Sequence, residues 1–171
     1  MNANSDGALG DPGSLVRIQN GSTLQAGGDI TSNRFFIVQF GDPSGIIDTN
    51  GHDMLLDTGS TVSGEILEKQ GAGTLTLRGT QDYFTLTTSA GTTNVNSMLG
   101  TGFSIVNANA TTNFGVSQTL AELNIGTGAI VTLGSAAPAP ALAAVPEPGT
   151  CGLLVAGLLH LIARRHRQSD C

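Results

Sequence analysis

The amino-acid sequence predicts an all-β solenoid that ends in a linker and a single C-terminal transmembrane helix. Apolar residues come in strand-length runs, turn formers separate those runs, and a turn-and-strand outline recurs at wide spacing. The runs are Leu15–Ile18, Phe35–Val38, Met54–Leu56, Leu75–Leu77, Ser104–Val106 and Ala129–Leu133. Between them stand Asn20-Gly21, Asn50-Gly51, Gly71-Ala72-Gly73 and Gly126-Thr127-Gly128, residues that adopt the positive φ angles of tight corners at little cost. No helical period precedes residue 149.

The outline consists of a small residue, glycine, a further small residue and an apolar one. It occurs at Asn20–Leu24, Gly71–Leu75 and Gly126–Ile130. This spacing fits two solenoid coils per repeat better than a propeller blade or a sandwich. Composition agrees with a turn-rich β fold. Glycine, at 24 of 171 residues, is about twice its usual share, charged residues make up 12%, and tryptophan is absent. The 39% of apolar residues still supplies material for a core, so the low charge does not imply disorder. Thr, Asn and Ser can stack in ladders on the outside of such coils, which accounts for their abundance without a binding site.

Charge limits the partners. Residues 1–145 hold four Arg or Lys against eleven Asp or Glu, and no basic patch is present to contact phosphate backbones, so nucleic acid is excluded. The two cysteines, Cys151 and Cys171, both fall in the tail and offer no disulfide framework to the body. Residues 1–7 have neither a basic nor an apolar segment of a secretory signal. An exported protein would therefore have more chain upstream, and the first coil is expected to lack a cap.

Residues Leu67-Glu68-Lys69-Gln70-Gly71-Ala72-Gly73-Thr74-Leu75-Thr76-Leu77-Arg78-Gly79 resemble the autotransporter-associated β-strand repeat of bacterial passenger domains. The lead-in from Asp48-Thr49-Asn50-Gly51 to Val62-Ser63-Gly64 resembles that repeat too, and the likeness covers roughly residues 3–134. It implies a right-handed parallel β-helix exported to the cell surface. The pattern departs at Tyr83-Phe84-Thr85-Leu86-Thr87-Thr88, where an irregular coil is expected.

The chain then divides into a β-solenoid region over 1–134, an Ala/Pro linker over 135–144 and a tail over 145–171. The tail places Val145-Pro146-Glu147-Pro148 before an apolar helix at about 149–163, and Arg164, Arg165 and Arg167 after it. Arginines behind an uncharged apolar stretch form a stop-transfer element and hold the cytoplasmic side. A comfortable span needs about 20 residues, so this shorter run would recruit neighbours and let the arginines snorkel. As a whole the tail resembles the PEP-CTERM sorting signal. That resemblance implies an exosortase-type membrane protease as partner, anchorage in the lipid bilayer during export, processing near Pro146-Glu147-Pro148, and release to the bacterial surface or extracellular matrix.

A competing motif is Leu55-Leu56-Asp57-Thr58-Gly59-Ser60-Thr61, which resembles the active-site turn of retroviral-type aspartic proteases. There a homodimer would bring two copies of Asp57 together to share a proton. The similar turn at Asp48-Thr49-Asn50-Gly51 makes repeat chemistry the simpler account, with Asp57 a solvated turn residue. His52, His160 and His166 form no ligand set, and Asp6, Asp11, Asp29 and Asp42 are scattered, so neither metal nor cofactor is expected. The reading is a non-enzymatic, exported structural or adhesive protein. The alternatives are the protease and a carbohydrate-binding surface module with extracellular polysaccharide as partner.

Overall fold

The computed structural model describes residues 1–38, 44–100 and 104–134. In chain order the strands are β1 (Asn2–Ala3), β2 (Val16–Ile18), β3 (Thr23–Ala26), β4 (Ile30–Ser32), β5 (Phe35–Val38), β6 (Gly45–Asp48), β7 (Met54–Leu56) and β8 (Thr61–Gln70). They continue with β9 (Thr74–Leu77), β10 (Thr80–Thr88), β11 (Thr92–Val95), β12 (Ile105–Ala108), β13 (Thr111–Phe114), β14 (Glu122–Ile125) and β15 (Val131–Leu133). Every pairing between these strands is parallel.

The pairings form a solenoid of about six turns with three faces. One face stacks β1, β3, β6, the second halves of β8 and β10, β12 and β14; a second stacks β4, β7, β9, β11, β13 and β15. The third stacks β2, β5 and the first halves of β8 and β10, and continues through the bridge from Gln81 to Leu99. Strand β8 turns the corner between faces without breaking: Thr61–Ser63 pair with β5 and Leu67–Gln70 with β6. Gly64 lies at that bend with φ 143, and a Cβ there would come within 1.9 Å of the Val38 carbonyl oxygen, so only glycine fits.

Alternation sets the core. In β3, β9, β11, β12 and β13 every second residue is buried, which puts Leu24, Leu75, Val95, Val106 and Phe114 inside. The residues between them point outward and form hydrogen-bonded ladders from coil to coil. Asn2 donates to Gln25 and Gln25 to Asp48 on the first face, followed further along by Asn124 to Asn107 and Asn107 to Thr87. On the second face Asn113 donates to Asn94 and Asn94 to Thr76.

Three expectations change. The outline at residues 24, 75 and 130 is not a structural repeat, because Leu24 lies in β3 on the first face and Leu75 in β9 on the second. From Leu75 the register passes through Thr93 and Thr112 to Val131, so the second interval spans three coils, not two. Glycine corners occur between several pairs of faces, and a glycine-based outline cannot tell them apart. The coil at 83–88 is also regular: β10 stays paired with β8 from Thr80 to Thr88, passing over only Phe84 opposite Glu65.

The third change concerns the first coil. A 3-10 turn at Asp6–Leu9 packs beside β4, where a strand of the second face would otherwise lie. It covers an edge that was expected to be bare.

Candidate functional surfaces

Val145, Pro146, Glu147, Pro148, Arg164, Arg165 and Arg167 lie outside the described residues, as does the span expected at 149–163. Among the described residues no helix is long and apolar enough to cross a membrane. Asp57 is described. It opens the turn between β7 and β8, where the Ser60 amide donates to its carbonyl at 2.8 Å and its own amide donates to Ser32 O at 2.9 Å. Its Oδ1 lies 3.4 Å from an Arg78 guanidinium nitrogen one coil on. The side chain is half-buried under that arginine instead of fully solvated. A shared-proton dyad would need a second carboxylate at this turn, and within the chain the turn instead holds a cation.

Two charged residues that the sequence reading passed over prove to be internal. Arg34 is 2% exposed, and its Nε donates to Asp6 Oδ1 at 2.8 Å. Its other nitrogens donate to the carbonyls of Asp6, Gly10 and Asp11, so one guanidinium closes the irregular first coil. Burial alone would raise the Asp6 pKa, but hydrogen bonds from Arg34 and Ser32 and the guanidinium charge outweigh it and hold the carboxyl below its ordinary range.

Lys69 sits on the inward phase of β8, two residues past Leu67, with no exposed surface. Its Nζ donates to Gly73 O at 2.7 Å, to Ala90 O at 2.8 Å and to Gly71 O, which uses all three ammonium donors. Desolvation pushes its pKa down to about 8, against the pull of Asp48. Both cations gather several corner carbonyls, a structural role.

The outer surface mixes polar clusters with exposed Phe35, Phe84, Met98 and Ile125. Glu68 gathers hydrogen bonds from Ser89, Gln70 and Ser44, spanning neighbouring coils; burial would raise its pKa, but these donors hold it below the ordinary range. The second face carries a shallow groove of about 380 Å³, with Thr31, Leu55, Thr76 and Asn94 along its floor and Asp29, Asp53 and Thr74 at its corner side. Asp29 Oδ1 accepts the Asp53 amide at 3.0 Å, and Asp53 Oδ1 accepts the Thr74 amide at 3.2 Å. His52 Nδ1 lies 3.6 Å from Asp29. Among the described residues no three His, Cys, Asp or Glu side chains converge as a metal cluster would require.

These features define a class: a parallel β-solenoid whose buried polar groups brace the stack and whose outer faces carry ordered polar ladders. The chain is similar to the adhesin BmaC autotransporter of Brucella suis biovar 1 (strain 1330), with 35% identity over 96 residues. The likeness covers 54% of this chain and 3% of that protein, so the chain spans a small fraction of the relative it matches. No family model matches, and no solved structure matches.

Proposed function

We propose that the protein is an exported bacterial surface protein with a structural or adhesive role and no catalytic activity. The carrying observation is the likeness to an adhesin over about half the chain, on a fold built as a stack of coils. A solenoid of this kind presents long, regular outer faces, suited to contact along a surface and not to chemistry in a closed pocket. The tail fits the same role. Val145-Pro146-Glu147-Pro148 on the exported side, an apolar stretch, and Arg164, Arg165 and Arg167 on the cytoplasmic side form a sorting signal for an exosortase-type protease. Prolines keep the recognised segment out of a helix at the membrane face.

The test is expression of the complete gene in a host with and without the exosortase, followed by protease shaving of intact cells, immunoblot and terminal mass spectrometry. The unaltered protein should lose Arg164–Arg167 and reach the surface. Glu147→Ala should leave full-length protein in the membrane. Equal processing of both, or a mature surface protein that keeps the arginines, would show that the tail is only an anchor.

A further inference from the structure

We infer that the groove on the second face is a binding track for an extended glycan without acidic groups, laid along the stacking axis. This rests on the adhesive reading above and names its ligand class. The groove runs over β4, β7, β9 and β11, four successive rungs, through Thr31, Leu55, Thr76 and Asn94 and the corner residues Asp29 and Asp53. Parallel rungs are about 4.8 Å apart, so the track is on the order of 14 Å long. That rung spacing is comparable with the advance of one pyranose unit in an extended glycan. A ligand with a matching repeat can meet one outward side chain at each step, polar on three rungs and apolar at Leu55.

The lining decides the class of occupant. Two carboxylates and His52 are the only titratable groups at the groove among the described residues, which disfavours uronates, phosphates and nucleic acid. No aromatic or arginine lines it, so it lacks the anchors that dominate protein interfaces. Hydroxyls, an amide and carboxylates beside the apolar Leu55 suit a ligand that is polyhydroxylated but carries C–H faces, as a pyranose chain does.

These groups are also held in place. One oxygen of Asp29 and one of Asp53 accept backbone amides of the next coil, leaving each carboxylate a second oxygen in a fixed position. Asn94 donates one N–H to Thr76 Oγ1 at 3.4 Å and accepts from Asn113 at 2.9 Å. Its second N–H and the Thr76 hydroxyl proton remain as donors. A preorganised row loses little conformational freedom when a chain binds.

The full chain, purified in mild detergent, is run through gels containing hydroxyethylcellulose (neutral), glycol chitosan (amine-bearing) or alginate (uronate). Retardation is expected by one or both of the first two and not by alginate. The double variant Thr31→Val with Thr76→Val keeps shape and strand preference and should weaken retardation about tenfold. Thr87→Val on the first face should leave it unchanged, and Thr74→Val serves as a milder groove variant if the double variant melts early by circular dichroism. The inference is overturned by no retardation in either acid-free glycan, by retention in alginate to the same degree, or by equal loss in the Thr87 variant. A failed gel leaves surface export standing, and failed export in cells leaves the gel result standing.

Discussion

The early and late coils share one topology but are built from different side chains. The early coils are long: the ladder partners Asn2 and Gln25, and then Gln25 and Asp48, are each 23 residues apart. Late coils shorten, to 19 residues between Asn94 and Asn113 and 17 between Asn107 and Asn124. Long coils enclose Phe36, Ile47, Met54 and Leu67, whereas the short ones enclose Val95, Leu99, Val106, Ala108 and Phe114 beside buried Thr93 and Thr112. Threonine therefore takes core positions in the short coils that aliphatic residues hold in the long ones. Charged Arg34 and Lys69 gather corner carbonyls in the early part, while later corners use neutral groups: Gln118 donates to Ser97 O and accepts the Leu99 amide, each at 2.9 Å, and Thr88 donates to Thr93 at 2.9 Å.

The sharpest way to break this contrast is Arg34→Ala. It would remove the donor to the Asp6 and Gly10 carbonyls, and leave the Asp6 carboxylate to Ser32 and the Asp11 carbonyl to the Ser14 amide, a loss of about 3–5 kcal/mol for a buried paired charge. The damage should be local. Hydrogen exchange is expected to accelerate in β2 and β4 while β11 and β13 keep their protection. Uniform acceleration along the whole stack would show that the coils unfold as one unit and that the first coil is not separately closed.

Lys69 gives the next largest effect, and its sign follows from proton binding. With a folded pKa of about 8 and an unfolded value near 10.5, the unfolded chain holds more protons between those limits, so stability rises with pH across that interval. Tyr83 sets the upper end. Its buried phenol is pushed far above its ordinary value, so above about pH 10 the unfolded chain ionises first and stability falls again. Urea unfolding at pH 7.5 and 9.5 should differ by about 2 kcal/mol in the wild type. Lys69→Met should be less stable overall and lack that rise; an identical rise in both proteins would remove Lys69 as its source.

The same contrast separates what could be read from the sequence from what could not. Strands β2, β5, β7, β9, β12 and β15 coincide closely with apolar runs. Strands β11 and β13 were missed because Thr92-Thr93-Asn94-Val95 and Thr111-Thr112-Asn113-Phe114 bury threonine where a run would need an aliphatic residue. The coil count was misjudged because glycine corners recur at more than one position in a coil. Arg34 gave no local signal, since its partners Asp6, Gly10 and Asp11 lie a coil away in sequence. Lys69 did give one: it falls on the inward phase of Leu67-Glu68-Lys69-Gln70, two residues after a buried leucine.

Ladder variants sharpen the contrast more gently. Asn107 donates to Thr87 and accepts from Asn124 on the outer surface of the short coils, so Asn107→Ala should cost about 1 kcal/mol in thermal or urea unfolding. Gln25→Ala, in the corresponding ladder of the long coils, should cost a similar amount. A several-fold larger cost in the short coils would mean that outer ladders, and not packing, hold that part together.

Asp57→Asn should have the smallest effect, because the residue does little beyond facing one partly exposed arginine. Its Oδ1 stands 3.4 Å from Arg78 but is buried without a hydrogen bond, so the pair combines a modest attraction with a desolvated acceptor. An asparagine keeps the shape of the turn and its backbone bonds to Ser32 and Ser60, and the melting temperature should stay within a few degrees. The same variant tests the competing reading. A protease would carry the Asp57 of each protomer to a shared position, and the Arg78 guanidinium would have to leave it. Incubation with a denatured protein substrate at pH 4 to 5 should yield no pepstatin-sensitive cleavage from wild type or variant. Cleavage by the wild type that disappears in Asp57→Asn, with the melt unchanged, would make this turn an active site and overturn the non-enzymatic reading.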